Sequence, residues 1–281
     1  MLSRPQSSVP FRRKKKTKNY VASTDIGKRD SNQDKKFVDL RRKIFILCDG
    51  MGGANGGERI SEYAVKILDL ELNEVYGLLR KKYIDENDIL DFLEQRISYT
   101  NEIISATTAK VDVLTKGGTT LDVAMIYKNK IYTGHVGDGT IYLVDNSKKS
   151  IERLTEPHVS FLSDISSLSD IEKQIVASHM ALKSYIGQGV DIKIDLTVNA
   201  FENSTLFMHT DGYNLISKNE ILNLIMKKDH TNLKQNLINK RDNPVEIRLA
   251  YEELNEKGLG FKIDSKQKKQ DNSTFIMYER D

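Results

Sequence analysis

The chain of 281 residues contains no tryptophan, a single cysteine and only four prolines. One cysteine excludes an intrachain disulfide and any metal site built on a cysteine cluster, which is typical of a reducing compartment. We interpret Cys48 as a small buried hydrophobe. No apolar run approaches the roughly 20 residues of a membrane-spanning helix, and no apolar signal-peptide core lies near the N-terminus. We therefore expect a globular, cytoplasmic protein without a membrane span.

Acidic residues are missing from residues 1–19, which hold seven lysines and arginines. The remaining residues carry 36 of the 43 basic residues against 40 acidic ones, so the net charge of +3 hides a mildly acidic body. We interpret residues 1–19 as a basic disordered tail and residues 20–281 as one domain. Nothing in the acidic body indicates a nucleic-acid-binding face.

The stretch FILCDGMGGANGGE, residues 45–58, lacks what three familiar chemistries require. A phosphate-binding P-loop needs a lysine where Glu58 stands, and a dinucleotide fingerprint needs a glycine where Asn55 stands. A thiolate phosphatase needs an arginine shortly after its cysteine, but Ala54 stands at that position. What remains is Asp49 at the end of the apolar run IFIL, which we predict to be a buried strand. A carboxylate there is costly unless it is paired or bound to a metal, although it could also cap the helix that follows.

Strand-like stretches alternate along the chain with long helical patterns. Apolar residues spaced three or four apart predict two amphipathic helices, over residues 60–79 and 89–111. A third helix is predicted from Asn243, with Pro244 in its first turn, to Gly258. This order favours an α+β fold with helices layered on sheets. The predicted strands are NYVAST, KFVDL, KIFILCD, TLDVAMIY, KIYTGHV, TIYLVD, IDLTVNAF, STLFMHTD and STFIMYE.

Five acidic residues share one feature, because each lies at or beside the end of a predicted strand. They are Asp34, Asp49, Asp138, Asp211 and Asp271, and three of them are followed by glycine. Carboxylates that converge on one rim of a sheet pair repel one another and take up protons unless cations neutralise them. A set of oxygen ligands without histidine or cysteine favours Mg²⁺ or Mn²⁺ over Zn²⁺.

The motifs RDSNQD, DGMGG, GGTT, GDG, TDG and DNST follow one another in this order over about residues 20–279. In this order they resemble the metal-dependent protein phosphatases of type 2C, particularly the bacterial branch. The resemblance implies a β-sandwich of two antiparallel sheets flanked by helix pairs, in four αββα layers, with a bimetal site at one end. It also implies a serine/threonine phosphatase in which a hydroxide bridging two Mn²⁺ or Mg²⁺ ions attacks phosphorus in line.

The resemblance implies a role for each matching residue of the metal site. Asp49 would bridge both ions, and the carbonyl oxygen of Gly50 would bind one of them. Asp211 and Asp271 would hold the first ion. Asp34 would serve the second ion, either directly or through water.

Two further residues match the family pattern, and three positions depart from it or vary. Arg29 would bind the substrate phosphate, because its planar fork can donate two parallel hydrogen bonds. Asp138, together with Asp211, would match a third and looser metal site of bacterial members. Gly139 and Thr140 stand where the family usually has Ser and Arg, so the third site is expected to be altered. Met51 stands where many eukaryotic members have a histidine, which leaves the proton donor unassigned.

Histidines and a variable segment complete the set of candidates. We expect His135 and His209 to pack in the core or support neighbouring acids rather than bind metal. His158, after RLTEP, resembles the family's lead into a flap, although Pro157 interrupts the match. The flap would span about residues 156–185. It carries too little apolar surface to form a core, so we expect it to be mobile and to contact the protein substrate.

Three functions remain open at this point. An active phosphatase is favoured because every primary metal carboxylate and the phosphate arginine are in place. The alternatives are a catalytically weak pseudophosphatase that binds phosphorylated or kinase partners, and a hydrolase of the same fold that acts on a small phosphoester. We expect the partners to be phosphoserine and phosphothreonine proteins and a cognate serine/threonine kinase, and the protein to be a monomer that does not bind nucleic acid.

Overall fold

A computed structural model describes residues 19–111, 114, 117–160, 168–169, 172–173, 175–176, 180–189, 191–242, 252–257 and 271–280. Two five-stranded antiparallel sheets form its centre. The first contains, in spatial order, β1 (Tyr20–Asp25), β12 (Ser273–Glu279), β11 (Ser204–His209), β8 (Thr140–Asp145) and β9 (Ser150–Arg153). The second contains β10 (Asp195–Ala200), β7 (Lys130–Val136), β6 (Leu121–Tyr127), β3 (Ile44–Cys48) and β2 (Lys35–Asp39).

All nine predicted strands are confirmed, and three short strands were not predicted. Two of these, β4 (Gly50–Met51) and β5 (Gly118–Thr119), pair with each other beside the end of β3. The third is β9, which forms an edge of the first sheet.

The two sheets pack face to face, which explains the continuous apolar run of β3. Phe45 and Leu47 join the cluster between the sheets, together with Ile141 and Leu206 of the opposite sheet. The alternate residues of β3 point to the other face of their sheet, where helices cover them, so every residue of the strand is buried. Cys48 is fully buried among these residues, as predicted, and burial raises the pKa of its thiol.

Helices cover the outer face of each sheet. On the second sheet lie α1 (Gly53–Lys81) and α2 (Ile89–Thr108). The apolar residues of the two predicted stripes are buried in one cluster with that sheet as far as Ile104. The helix predicted over 89–111 ends at Thr108, and Val111 is 39% exposed. On the first sheet lie α3 (Lys218–Met226) and α4 (Leu233–Asp242). The expected αββα layering is therefore confirmed.

The helices of the structure differ from the predicted ones in two further respects. We did not predict α3 and α4, although α3 begins at a recognisable cap, because the Ser217 side chain accepts a hydrogen bond from the backbone of Glu220. The helix predicted over Asn243–Gly258 lies outside the described residues except for 252–257. Within the described part of the chain, no helix combines the length and apolar character needed to cross a membrane.

Candidate active site

The antiparallel register brings the predicted acids to one end of the sandwich. Lys35 pairs with Cys48, so Asp34 before β2 lies beside Asp49 after β3. In the other sheet His209 pairs with Phe275, so the residues after β11 lie beside those that precede β12. An acid that precedes one strand therefore meets an acid that follows its neighbour. The register explains why residues so far apart in the sequence converge.

Most of the predicted site residues line one cavity of about 520 Å³. Six of the seven predicted residues line its wall, namely Arg29, Asp49, Gly50, Asp138, Asp211 and Asp271. Asp34 lies behind the wall and is 4% exposed. Met51 and Leu182 also line the cavity and add apolar surface.

The turn that carries Asp49 is held by backbone contacts. Thr120 donates its backbone N–H to the Asp49 carbonyl oxygen at 2.8 Å and accepts from the Asp49 N–H through Oγ1 at 2.9 Å. A Cβ on Gly50 would lie 2.2 Å from the carbonyl oxygen of Gly57, so this close approach of two backbone segments requires glycine. The N-cap of α1 is Gly52, with φ of 114°, and the alternative that Asp49 caps this helix is wrong.

Electrostatics at the cavity disfavour charged carboxylates. Burial, followed by repulsion from Asp34 and Asp211, raises the pKa of Asp49 well above its usual range. Burial, followed by repulsion from Asp138 and Asp271, does the same to the pKa of Asp211. Burial also raises the pKa of Asp34 and that of Asp138 to about 6. The cavity therefore favours binding of protons or cations.

Two buried carboxylate oxygens lack a hydrogen-bond partner among the described residues. Asp34 Oδ2 accepts a hydrogen bond from Thr210 Oγ1 at 2.9 Å, but Asp34 Oδ1 has no such partner. Asp211 Oδ1 is also buried and unpartnered within the same part of the chain. Buried oxygens without partners are costly, and a cation would satisfy them.

The oxygen atoms fit a hard divalent cation, although the side chains are not yet arranged around one. Among the described residues, no three His, Cys, Asp or Glu side chains form a ready-made metal site. Asp271 accepts a hydrogen bond from Arg29, and the Asp49 and Asp211 carboxyl groups interact with each other. The donors are all carboxylate or carbonyl oxygen, which suits Mg²⁺ or Mn²⁺.

Asn272 supports this site and was not singled out from the sequence. Its Oδ1 accepts from the Gln33 N–H at 2.8 Å, and its Nδ2 donates to the carbonyl oxygens of Ile26 and Ser31 at 2.9 and 3.0 Å. These three bonds fasten the loop that carries Arg29 to the start of β12. The motif DNST contained the signal, because an asparagine beside a predicted ligand often orders the backbone around it.

The two histidines of the strand patterns contact protein groups. His135 Nδ1 lies 2.6 Å from Asp122 Oδ1, and its Nε2 lies 3.1 Å from the Glu156 carbonyl oxygen. His209 Nδ1 lies 2.9 Å from the Thr210 carbonyl oxygen, and burial lowers its pKa to about 4. The expected supporting roles agree with these contacts.

Comparison with known proteins shows that most of the chain is similar to bacterial serine/threonine phosphatases. The serine/threonine phosphatase of Listeria welshimeri is 29% identical over 215 residues, which cover 73% of this chain and 82% of that protein. The structure of the serine/threonine phosphatase of Streptococcus agalactiae superposes with a TM-score of 0.67 at 25% identity, covering 93% of this chain and 99% of that one. The phosphatase of Mycobacterium tuberculosis superposes with a TM-score of 0.68 at 20% identity, covering 92% and 97%.

The αββα sandwich and the acidic cavity at its end place the chain in the fold class of these bacterial phosphatases. The sequence profile of the family Protein phosphatase 2C matches residues 23–241. The chain belongs to the protein phosphatase 2C family, whose members are metal-dependent phosphoprotein phosphatases.

Proposed function

We propose that the cavity hydrolyses phosphoserine and phosphothreonine in protein substrates. The observation that carries the proposal is the convergence of four aspartates and one backbone carbonyl on a cavity that also presents an arginine. Asp34, Asp49, Asp211, Asp271 and the Gly50 carbonyl would hold two Mn²⁺ or Mg²⁺ ions. When bound, such ions lower the pKa of water and offset the charge that develops on the phosphoryl oxygens.

Arg29 is the residue that we assign to the substrate phosphate. Its side chain is 50% exposed at the cavity and donates a hydrogen bond to Asp271. A phosphate oxygen is the same kind of acceptor as this carboxylate oxygen, which supports the assignment.

Asp138 and Met51 have separate roles in the proposal. Asp138 would hold a third ion near Asp211. Met51 lies on the cavity wall and cannot supply a proton, so protonation of the leaving hydroxyl has to come from another group or from solvent.

The setting of the reaction belongs to the same proposal. The relatives named as serine/threonine phosphatases support a phosphoprotein substrate. We assign the protein to the cytoplasm, as a monomer that reverses the action of a serine/threonine kinase. No comparison favours the alternative of a catalytically weak pseudophosphatase.

The test compares aspartate variants on a phosphothreonine peptide with Mn²⁺ and with EDTA. Chelator should abolish hydrolysis, and Asp49→Asn and Asp211→Asn should each lower kcat/KM by at least on the order of 100-fold. Calorimetric titration should show weaker Mn²⁺ binding in both variants. Asp91→Asn, on the exposed surface of α2, is the matched control. Full activity in EDTA, or near wild-type turnover of both variants, would refute the assignment.

A further inference from the structure

His158 is 4% exposed and contacts the residue that precedes Asp138 of the cavity wall. Its Nδ1 accepts a hydrogen bond from the Gly137 N–H at 3.3 Å, and its Nε2 lies 3.0 Å from Asp195 Oδ2. Its own backbone N–H donates to the Gly137 carbonyl oxygen at 2.6 Å. The ring is thus a neutral tautomer with the proton on Nε2, fixed to the residue before Asp138 and to the start of β10.

The backbone of His158 continues into a short paired segment, which we call the neck. The neck consists of residues 158–160 and 181–183, which lead into and out of residues 161–180. Val159 and Leu182 form an antiparallel bridge. Lys183 donates its N–H to the His158 carbonyl oxygen at 2.7 Å, and Ser160 donates to the Ala181 carbonyl oxygen at 2.9 Å. Because Leu182 lines the cavity, the position of the neck sets part of the cavity wall.

Residues 137–139, which we call the Asp138 turn, have little conformational preference of their own. Gly137 has φ of 117°, and Gly139 follows Asp138, so the turn contains two glycines around one acid. Its neighbours therefore determine where Asp138 lies. His158 contacts one side of the turn at Gly137, and Asp122 packs against the other side at Gly139.

A second histidine completes the contact between these parts. The rings of His135 and His158 lie 4.7 Å apart, and His135 is held by Asp122 Oδ1 and by the Glu156 carbonyl oxygen. Asp122 and His135 are each 1% exposed. The neck and the Asp138 turn consequently pack on one buried polar cluster rather than on separate parts of the core.

We propose that His158 is a positioning residue that joins the neck to the Asp138 turn. Through its Nδ1 contact with Gly137, it keeps the Leu182 wall and the Asp138 carboxylate in one relative position. Asp195 orients the ring so that Nδ1 is the acceptor. The proposal rests on the proposed phosphatase function, and it makes this contact a determinant of protein-substrate binding, because such a substrate has to meet both parts at once.

Two conservative variants separate the contacts of the imidazole. In His158→Asn, the amide oxygen can reach the position of Nδ1 and accept from Gly137, while the bond to Asp195 is lost. In His158→Gln, the amide nitrogen can reach the position of Nε2 and donate to Asp195, while the acceptor for Gly137 is lost. The backbone bond from residue 158 to the Gly137 carbonyl oxygen remains in both variants, so the proposal requires that only the glutamine variant loosens the contact between the neck and the turn.

The first readout is substrate preference, measured with phosphorylated casein and p-nitrophenyl phosphate in Mn²⁺. In His158→Gln, the ratio of kcat/KM for casein to that for p-nitrophenyl phosphate should fall about fivefold, chiefly through the KM for casein. His158→Asn should restore the ratio to within about twofold of wild type. His230→Gln, next to Glu279 at the other end of β12, is the matched histidine control. Equal losses on both substrates, or an asparagine variant as impaired as the glutamine variant, would overturn the proposal.

The second readout is amide hydrogen exchange in EDTA, which does not depend on metal or on turnover. His158→Gln should speed exchange at Ser160 and Lys183 by about fivefold or more. Exchange at Ile186, whose N–H donates to Thr119 at 2.8 Å, should remain at the wild-type rate. Unchanged exchange at Ser160 and Lys183 would overturn the proposal. If the wild-type protein hydrolyses neither substrate, the proposed function fails, and the exchange pattern alone decides whether His158 holds the neck.

Discussion

Gly139→Ala tests how tightly the Asp138 turn is packed against the strand below it. A Cβ at this position would lie 1.9 Å from Asp122 Oδ2 and 3.0 Å from Asp122 Cγ. The carboxylate has little freedom to withdraw, because Asp122 is 1% exposed and its other oxygen lies 2.6 Å from His135 Nδ1. Either Asp122 loses its hydrogen bond to His135, or the Asp138 turn moves and carries Asp138 with it.

The expected cost follows from these two routes. Overpacking of a core site costs roughly 1–3 kcal/mol, and leaving a buried polar group without its partner costs roughly 1–3 kcal/mol. The structure is expected to adopt whichever of the two changes costs less free energy, so the free energy of unfolding should fall by about 2 kcal/mol. For a chain of this size that corresponds to a fall in Tm of about 3–4 °C. If the turn is what moves, turnover with Mn²⁺ should fall as well.

The assay is thermal unfolding of Gly139→Ala, Asp122→Ala and the double variant, followed by circular dichroism. Asp122→Ala removes the obstructing carboxylate, so the double variant should be no less stable than Asp122→Ala alone, with a coupling energy of about 1–2 kcal/mol. Gly77→Ala is the control, because no atom lies within 4 Å of its new Cβ and it should stabilise α1 by about 0.5–1 kcal/mol. Additive losses in the double variant would show that the two side chains do not compete for one space.

The cavity acids and the tail give two further predictions. In EDTA, the pKa values of about 6 for Asp34 and Asp138 mean that the folded state binds more protons than the unfolded chain between about pH 4 and 6. Their contribution should therefore raise Tm as the pH falls from about 7 to 5. Saturating Mn²⁺ should remove the rise, and the Asp34→Asn/Asp138→Asn variant should reduce it, because Asp49 and Asp211 still take up protons in that variant. A rise as large as that of the wild type in both experiments would contradict the prediction. Deleting residues 1–18 should leave hydrolysis of p-nitrophenyl phosphate unchanged, because every assigned residue lies at or beyond Arg29; a loss of about tenfold in kcat/KM would contradict the domain boundary.

Local patterns predicted the regular strands and the two long helices because those elements have long apolar periods. The strands β4 and β5 have two residues each and carry no period at all. The helix α4 has only Leu233 and Leu237 as buried apolar residues, too few for a clear stripe. In α3, by contrast, a local signal exists, because Ser217 stands three residues before Glu220 and an apolar pattern follows.

The acids of the candidate site were identifiable because each one flanks a strand, but their convergence depends on strand register. The buried polar cluster of Asp122 and His135 was harder to predict for the same reason. Asp122 and His135 lie directly opposite each other on β6 and β7, and no local pattern shows which residues will be opposite. The available signal was a lone acid within the apolar run of β6, which requires a partner when that strand is buried.

The first and last strands in the described part of the chain are neighbours, and among these strands β1 pairs with β12 alone. During synthesis, β1 therefore has no sheet partner until residues 273–279 have emerged, although it was made first. Arg29, after β1, and Asp271, before β12, form an ion pair between these two ends of the described chain. A nascent chain truncated before β12 lacks both the Asp271 carboxylate and the three Asn272 bonds that order the Arg29 loop. A chain that stops before β12 therefore lacks one proposed metal ligand and the bonds that order the proposed phosphate-binding loop, and we expect such a chain to be inactive.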